Sequence, residues 1–325
     1  MPTVRVKYDW QAMAELHTVF GASGALGSAV IHHLEAEGLP IRAVARDPAK
    51  AAEMLPDGIE IVACDATDLA SVVEACKGTG VIYNCLYVGD RMKEVTAYLL
   101  TGAREAGARL VHPSNGLVYG PLRQVPIKED HPHNANTRRG LMRKETEAML
   151  MEAHARGDVP VVIPRLATFY GAHVHGTFMS MIFEAAYQGH KALWFGRLDV
   201  PHDLLYLPDA AAACVLLALN DAAYGQVWHV PGAGPLTGED FIRRVFNAYG
   251  KTPKIGARGR TFFQLAGLVA PRISDMAEVL YQFEQPFVMD GSKFAAEYPD
   301  FQYTPHDVGI QDTVNWYRAY FGAGE

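Results

Sequence analysis

The chemistry available to this chain is most legible at Gly21-Ala22-Ser23-Gly24-Ala25-Leu26-Gly27, where a glycine recurs at every third position. The short apolar run His17 to Phe20 precedes it, and Val30, Ile31 and Leu34 follow at helical spacing. Glycine lets the backbone turn sharply and come close to a diphosphate, whose charge is met by the free amides and positive end of the next helix. Gly21, Ser23, Gly24, Ala25 and Leu26 are therefore the candidate phosphate contacts. A glycine triplet alone is a weak signal. With a strand before it, a helix after it and a ribose reader at the end of the next strand, it has the context a dinucleotide site requires.

That reader is expected in Ala43-Val44-Ala45-Arg46-Asp47. An acid at the strand end would bond both ribose hydroxyls of NAD, whereas an arginine offers a planar fork to a 2′-phosphate, so NADP is favoured over NAD. A solvated strand end for Arg46 and a helix cap for Asp47 are the plain alternatives. Asp65, after the third apolar run, is placed to bond the adenine amino group, with an N-cap role as its rival. Ala66, Leu86, Leu166 and Thr168, at or just beyond strand ends, complete the expected cofactor set.

The elements that must position these residues alternate from His17 to about Gly171. Strands are expected at His17 to Phe20, Ile41 to Ala45, Ile59 to Ala63, Val81 to Leu86, Leu110 to Pro113 and Val161 to Pro164, each short and mostly apolar, as strands buried on both faces should be. Asp47-Pro48 opens one helix, Asp68 opens Leu69 to Lys77, and Glu94 to Ala106 stops at Gly107. The fold class is α/β, a doubly wound parallel sheet with a smaller C-terminal substrate-binding lid. The sheet unit is expected to span 14–171 plus about 204–232, including Gln226 to Val230 and the alanine-rich Asp209 to Leu219. The lid is expected over about 172–203 plus 233–325, with Thr237 to Tyr249 and Thr261 to Phe283 as its main pieces.

A hydrophobic share of 49% in 325 residues supports a folded core, and a net charge of −7 with mixed signs argues against nucleic acid or a membrane surface as partner. Small molecules are the expected ligands. Cys64, Cys76, Cys85 and Cys214 form no Cys-x-x-Cys pair, and Met1 to Leu16 has no apolar core segment, so a reduced cytoplasmic setting is expected.

The glycine triplet, Val118-Tyr119-Gly120, Arg165 to Gly171, Asp203 to Asp209, Val230-Pro231-Gly232 and the tail from Thr304-Pro305 through Trp316 together resemble the extended, epimerase-like branch of the short-chain dehydrogenase/reductase superfamily. The resemblance implies a Rossmann sheet, a nicotinamide coenzyme and a catalytic trio. In that trio a serine or threonine polarises a carbonyl, a tyrosine passes the proton, and a lysine four residues later holds the nicotinamide ribose. Matched residue by residue, Lys144 falls on the lysine, Gly140 on the tyrosine, and Asn115 on the hydroxyl position with Ser114 one residue earlier. The helix carrying Lys144 would bury Leu141, Ala148 and Met151.

Glycine transfers no proton, so a donor must come from elsewhere: Tyr119, Tyr87, Tyr170 and His112 are the candidates. Asn115 can still donate a hydrogen bond to an oxygen. Tyr187-x-x-x-Lys191 repeats the spacing but follows the sixth strand, away from the nicotinamide. His131-x-His133 and His173-x-His175 lack metal-motif spacing, so no metal is expected. His173 and His175 are expected to line the substrate cavity with Tyr87 and Phe178. Phe178, Met179, Met181, Trp194, Phe195, Phe262 and Phe263 suit a hydrophobic or ring-containing substrate, with lid core as the plain reading. The expectation is an NADP(H)-dependent oxidoreductase acting on such a carbonyl or enone with a non-standard proton donor. A catalytically silent NADP-binding sensor or partner protein and a sugar-nucleotide epimerase or dehydratase are the alternatives. The resemblance also implies a homodimer formed through helices near Arg91 to Gly107 and Arg138 to Gly157.

Overall fold

The computed structural model describes residues 15–267 and 278–322. Its strands are β1 His17–Phe20, β2 Ile41–Ala45, β3 Glu60–Ala63, β4 Val81–Asn84, β5 Arg109–Val111, β6 Ser114–Asn115, β7 Val161–Leu166, β8 Thr168–Tyr170, β9 Ala192–Phe195, β10 Pro201–Tyr206, β11 Val227–Val230, β12 Pro235–Thr237 and β13 Ile255–Arg258. Seven of them form the main sheet in the order β11-β7-β5-β4-β1-β2-β3, with β6 joining β7 beyond the end of β5. All of its pairings are parallel. The order reverses beside β1, which is where an open parallel sheet leaves a crevice for a ligand. β1 and β4 are buried at every position, their polar members His17, Thr18 and Asn84 included.

The helices begin where their capping residues allow. Those of the sheet unit are α1 Ala25–Ala36, α2 Pro48–Ala52, α3 Leu69–Ala75, α4 Met92–Ala106 and α5 Arg138–Ala155. The Asp47 carboxylate accepts from the Lys50 amide at 3.2 Å, and Asp68 accepts from Ser71 at 3.1 Å. Gly107, at φ 68°, ends α4 in the left-handed conformation. β4 and β5 stop two residues short of the sequence expectation because the chain turns there to form the rim of the crevice, while β7 continues to Leu166 through pairing with β11.

α6 Phe178–Gln188, α7 Leu207–Ala218, α8 Gly238–Ala248 and α9 Arg260–Gly267 follow, then helices Ser292–Glu297 and His306–Gly322. One face of the main sheet buries Val30, Ile31 and Leu34 of α1 with α7, and the other buries Val72, Leu99 and Leu150 of α3, α4 and α5. A separate core gathers Met179, Phe183, Trp194, Phe241, Phe246 and Tyr317. Phe287, Met289, Phe294 and Phe301 join the first core beside Trp228 and Val230 of β11. Part of the expected Thr261 to Phe283 piece, 268–277, lies outside the described residues.

Candidate active site

The C-terminal ends of β1, β2, β4, β6 and β7 open onto one cleft of about 1350 Å³. Gly21, Ser23, Gly24, Ala25 and Leu26 line it. A Cβ on Gly21 would stand 2.7 Å from the Cys85 carbonyl oxygen, and one on Gly27 would stand 2.2 Å from that of Gly21. The first glycine therefore lets the loop lie on β4, and the third lets α1 lie on the loop. Gly24 gives the first turn of α1 no side-chain cap, so its amides remain available to an anion.

At the far side of this end, Arg46 lines the cleft with Lys50, a second cation that the sequence reading passed over. Asp47 is the α2 cap. Asp65 and Ala66 line the same end. The Asp65 carboxylate accepts from the Thr67 hydroxyl at 2.7 Å and the Thr67 amide at 2.9 Å, bonds that hold its pKa below the ordinary carboxylate value. The cap of α3 is Asp68, so Asp65 does not serve that helix. Leu86, Leu166 and Thr168 continue the lining toward the lid.

α5 sets the two residues of the expected tyrosine and lysine positions off the cleft lining. Gly140 is buried, and a Cβ there would lie 2.8 Å from the Leu117 carbonyl oxygen, with Ala135 and Thr137 both at 3.1 Å. Neither Gly140 nor Lys144 lines the cleft. Lys144 is exposed and donates from Nζ to the His133 carbonyl at 2.9 Å. Arg139 and Arg143 line the cleft instead, one turn apart on one face. The same face continues to Glu147, which is buried beneath the site. Arg139 and Arg143 stand one residue before Gly140 and Lys144, a step that on a helix is about 100° of rotation.

The expected proton donors divide. Tyr119 is fully buried behind β7, its hydroxyl held by Arg165 at 2.5 Å and by His229, and burial pushes its pKa up to about 12. Tyr170 is also buried, with its hydroxyl 3.3 Å from His306, and burial raises its pKa well above the ordinary tyrosine value. His112 pairs with Asn84 at 2.9 Å, and burial lowers its pKa to about 3. None of these three lines the cleft, and only Tyr87 among the four candidates does. Tyr187 packs against Tyr249 and Phe321 in the lid.

Ser114 and Asn115 both reach the cleft. The Ser114 hydroxyl donates to Glu147 at 2.5 Å and is thereby committed. Asn115 accepts from the Leu117 amide at 3.1 Å through Oδ1, which leaves its Nδ2 hydrogens for a ligand oxygen. Beneath them the Arg165 guanidinium grips Glu147 through Nε at 3.2 Å and Nη2 at 2.5 Å, and donates to Tyr119 from Nη1. Arg165 Nη2 also lies 2.8 Å from His133 Nε2.

His173, His175 and Phe178 line the lid side with Gln282, Phe283, Phe287, Trp316 and Tyr320. His173, at φ 61°, sets its ring tilted against Trp316 with centroids 4.9 Å apart, and the His175 ring lies 5.0 Å from that of Tyr320. Burial lowers the His173 pKa, with His175 and His32 adding to the effect. The Thr168 hydroxyl is tied to His202 at 2.9 Å. Among the described residues no three His, Cys, Asp or Glu side chains gather as a metal site.

A parallel sheet with a glycine-rich turn at its switch point, and with polar groups converging across the crevice, defines a nicotinamide-dinucleotide enzyme. Residues 17–230 match the family described as NAD dependent epimerase/dehydratase, and the chain belongs to that family. A dTDP-glucose 4,6-dehydratase of Actinoplanes sp. is 23% identical over 241 residues, which cover 72% of this chain and 67% of that protein. An NAD(P)H azoreductase of Xenophilus azovorans is 29% identical over 109 residues, 34% of this chain and 38% of its own length. The solved dTDP-glucose 4,6-dehydratase of Bacillus anthracis in complex with NAD superposes with a TM-score of 0.78 at 17% identity, covering 94% of this chain and 97% of the other. Among the described residues no helix is long and apolar enough to cross a membrane.

Proposed function

We propose that this protein is an NADP(H)-dependent reductase of a hydrophobic, ring-containing enone or quinone-like carbonyl compound. The carrying observation is that the α5 face turned to the cleft presents Arg139 and Arg143. A guanidinium stays protonated in water and gives up no proton near neutrality, but it stabilises a neighbouring oxyanion strongly. A reduced nicotinamide coenzyme held along the glycine turn would supply hydride to the electrophilic carbon, with the acceptor's π pair moving to its conjugated oxygen. The resulting enolate or phenolate is held by Arg139 and the Asn115 amide until water protonates it. A conjugated acceptor suits this site because its anion is delocalised and needs no phenol poised beside it.

Arg46 and Lys50 favour the 2′-phosphate coenzyme, and the open amides after Gly24 favour its diphosphate. Phe178, Phe283 and Phe287 supply flat apolar walls. A sugar-nucleotide dehydratase or epimerase is the second reading, favoured by the Actinoplanes relative. The test is NADPH and NADH consumption with a panel of quinones, enones, simple ketones and dTDP-glucose. Turnover of conjugated acceptors with NADPH supports the reductase. Conversion of dTDP-glucose replaces it with the second reading, and tight NADPH binding without turnover on any acceptor replaces it with a silent coenzyme-binding protein.

A further inference from the structure

We infer that the compound reduced in this cleft is a fused polycyclic acceptor whose outer ring stacks on a wall made by His173, His175, Trp316 and Tyr320. The inference rests on the reductase reading and adds the size and shape of the substrate to it. Two groups of rings line the cleft. In the first, Phe178 meets Phe283 edge to face at 4.9 Å, and the buried His202 ring lies 4.5 Å from Phe283 and 5.5 Å from Phe287. The second group comes from other elements. Trp316 and Tyr320 stand one turn apart on the helix His306–Gly322, their ring planes 15° apart and their centroids 5.0 Å apart. The loop after β8 brings the His173 ring to 4.9 Å from Trp316 and sets His175 at 5.2 Å from Trp316 and 5.0 Å from Tyr320. All four line the cleft.

Core packing does not account for the second group. The core side of the same helix is Tyr317, 1% exposed and stacked on Phe183, whereas Tyr320 is 53% exposed and His175 is exposed as well. Grouped rings left open on a cavity wall are a contact surface for a ligand. The backbone adds an independent sign. His173, at φ 61°, is the single non-glycine residue with a positive φ among the described residues, in a loop that uses Gly171 and Gly176 at its other such positions. Glycine would hold that conformation at lower cost, and a strained residue of this kind persists where a ligand clamp needs its side chain. Burial keeps the His173 imidazole neutral near neutrality, with His175 and His32 adding to the effect, so the ring presents an uncharged flat face. The negative faces of indole and phenol favour an electron-poor ring in offset stacking, and a quinone or enone fused to an aromatic ring supplies one. A single ring fills the space beside one group, whereas a fused system can lie against both, which makes a bicyclic or larger acceptor the matching class.

The probes are 2,3-dimethyl-1,4-naphthoquinone and duroquinone, two fully substituted quinones that differ by the outer ring, titrated in the presence of NADP⁺ while tryptophan emission is followed. The naphthoquinone is expected to bind about 10-fold or more tighter, and to quench a component of the emission that Trp316→Phe removes. His173→Asn changes the ring but tolerates the left-handed backbone, and Tyr320→Ala removes an exposed ring, so both variants should fold. Each should cut the advantage of the naphthoquinone about 5-fold or more and leave NADPH affinity within about 2-fold. Equal affinities, binding of neither quinone, quenching that persists in full in Trp316→Phe, an advantage unchanged in both variants, or a loss of NADPH affinity as large as that of the quinone overturns the inference. The reductase reading fails separately, when the naphthoquinone binds as expected but no acceptor consumes NADPH.

Discussion

Installing a tyrosine on α5 gives opposite results at two adjacent positions, and the difference tests the register of the whole site. At Gly140 the added Cβ would lie 2.8 Å from a backbone oxygen, that of Leu117, and 3.1 Å from Ala135 and Thr137. Replacing a helical glycine in open space gains about 1 kcal/mol of propensity, but forcing atoms into a packed site costs roughly 1–3 kcal/mol. The carbonyl belongs to a turn whose Asn115 cap fixes it, so packing outweighs propensity. Gly140→Tyr should therefore lose on the order of 1–2 kcal/mol, a fall in Tm of about 2–6 °C, and gain no activity. Arg139→Tyr combined with Arg143→Lys instead places a Tyr-x-x-x-Lys pair on the face that lines the cleft. A positioned general acid contributes about 10²–10⁴ in rate. The double variant should accordingly reduce a simple unconjugated ketone with NADPH at least about 100-fold faster than the parent. The assay is the loss of NADPH absorbance with cyclohexanone, alongside thermal unfolding of each variant. A Gly140→Tyr protein that is as stable as the parent and reduces the ketone, while the double variant stays inert, would refute the register.

Two further predictions follow from other parts of the molecule. Arg46→Ala with Lys50→Ala should weaken NADPH binding by about 10–100-fold and leave NADH binding within about 2-fold, measured by fluorescence titration; equal losses for both coenzymes would remove the 2′-phosphate assignment. Asp203, 1% exposed, accepts from the Met289 amide, and burial lifts its pKa to about 7. Between about pH 4 and pH 7 the folded chain thus keeps a proton that the unfolded chain has released, so this group makes stability fall as pH rises through that window. Buried His112, His202 and His229, each lowered to about 3, produce the opposite slope up to the ordinary histidine range. The difference in urea midpoint between the parent and Asp203→Asn should change across pH 4 to 7 and level off above it, and a flat difference would exclude Asp203 as its source.

The sheet was readable in the sequence because burial on both faces imposes short, mostly apolar runs, and β1 and β2 are found at the expected bounds. The glycine turn was readable for a related reason: close approach of backbone to backbone leaves no room for a side chain at Gly21 or Gly27. Helix registers are less secure, since neighbouring residues face directions about 100° apart and identity matching has no access to direction. Lys144 drew the match because it is a lysine, although Arg139 and Arg143 show the same four-residue spacing in Arg-Gly-Leu-Met-Arg-Lys. Lid residues such as Gln282, Phe283 and Trp316 reach the cleft from distant chain positions, and no local pattern encodes that arrival.

The buried charges beneath the cleft hold several polar groups away from it. Arg165 and Glu147 have side chains 1% and 3% exposed, and breaking such a pair costs roughly 3–5 kcal/mol, so Glu147 stays committed to Arg165. Ser114 and Tyr119, two hydroxyls that could have served catalysis, are drawn into the same network. His133 is drawn in as well, and its carbonyl holds Lys144 outside the cleft. One internal ion pair thereby ties the serine and tyrosine hydroxyls and, through His133, the lysine into a single network. On the proposed reading Asn115, Arg139 and Arg143 stabilise negative charge, and Tyr87 is the candidate donor that lines the cleft. A conjugated anion, delocalised over its own carbon skeleton, is the intermediate that reading assigns to such a site.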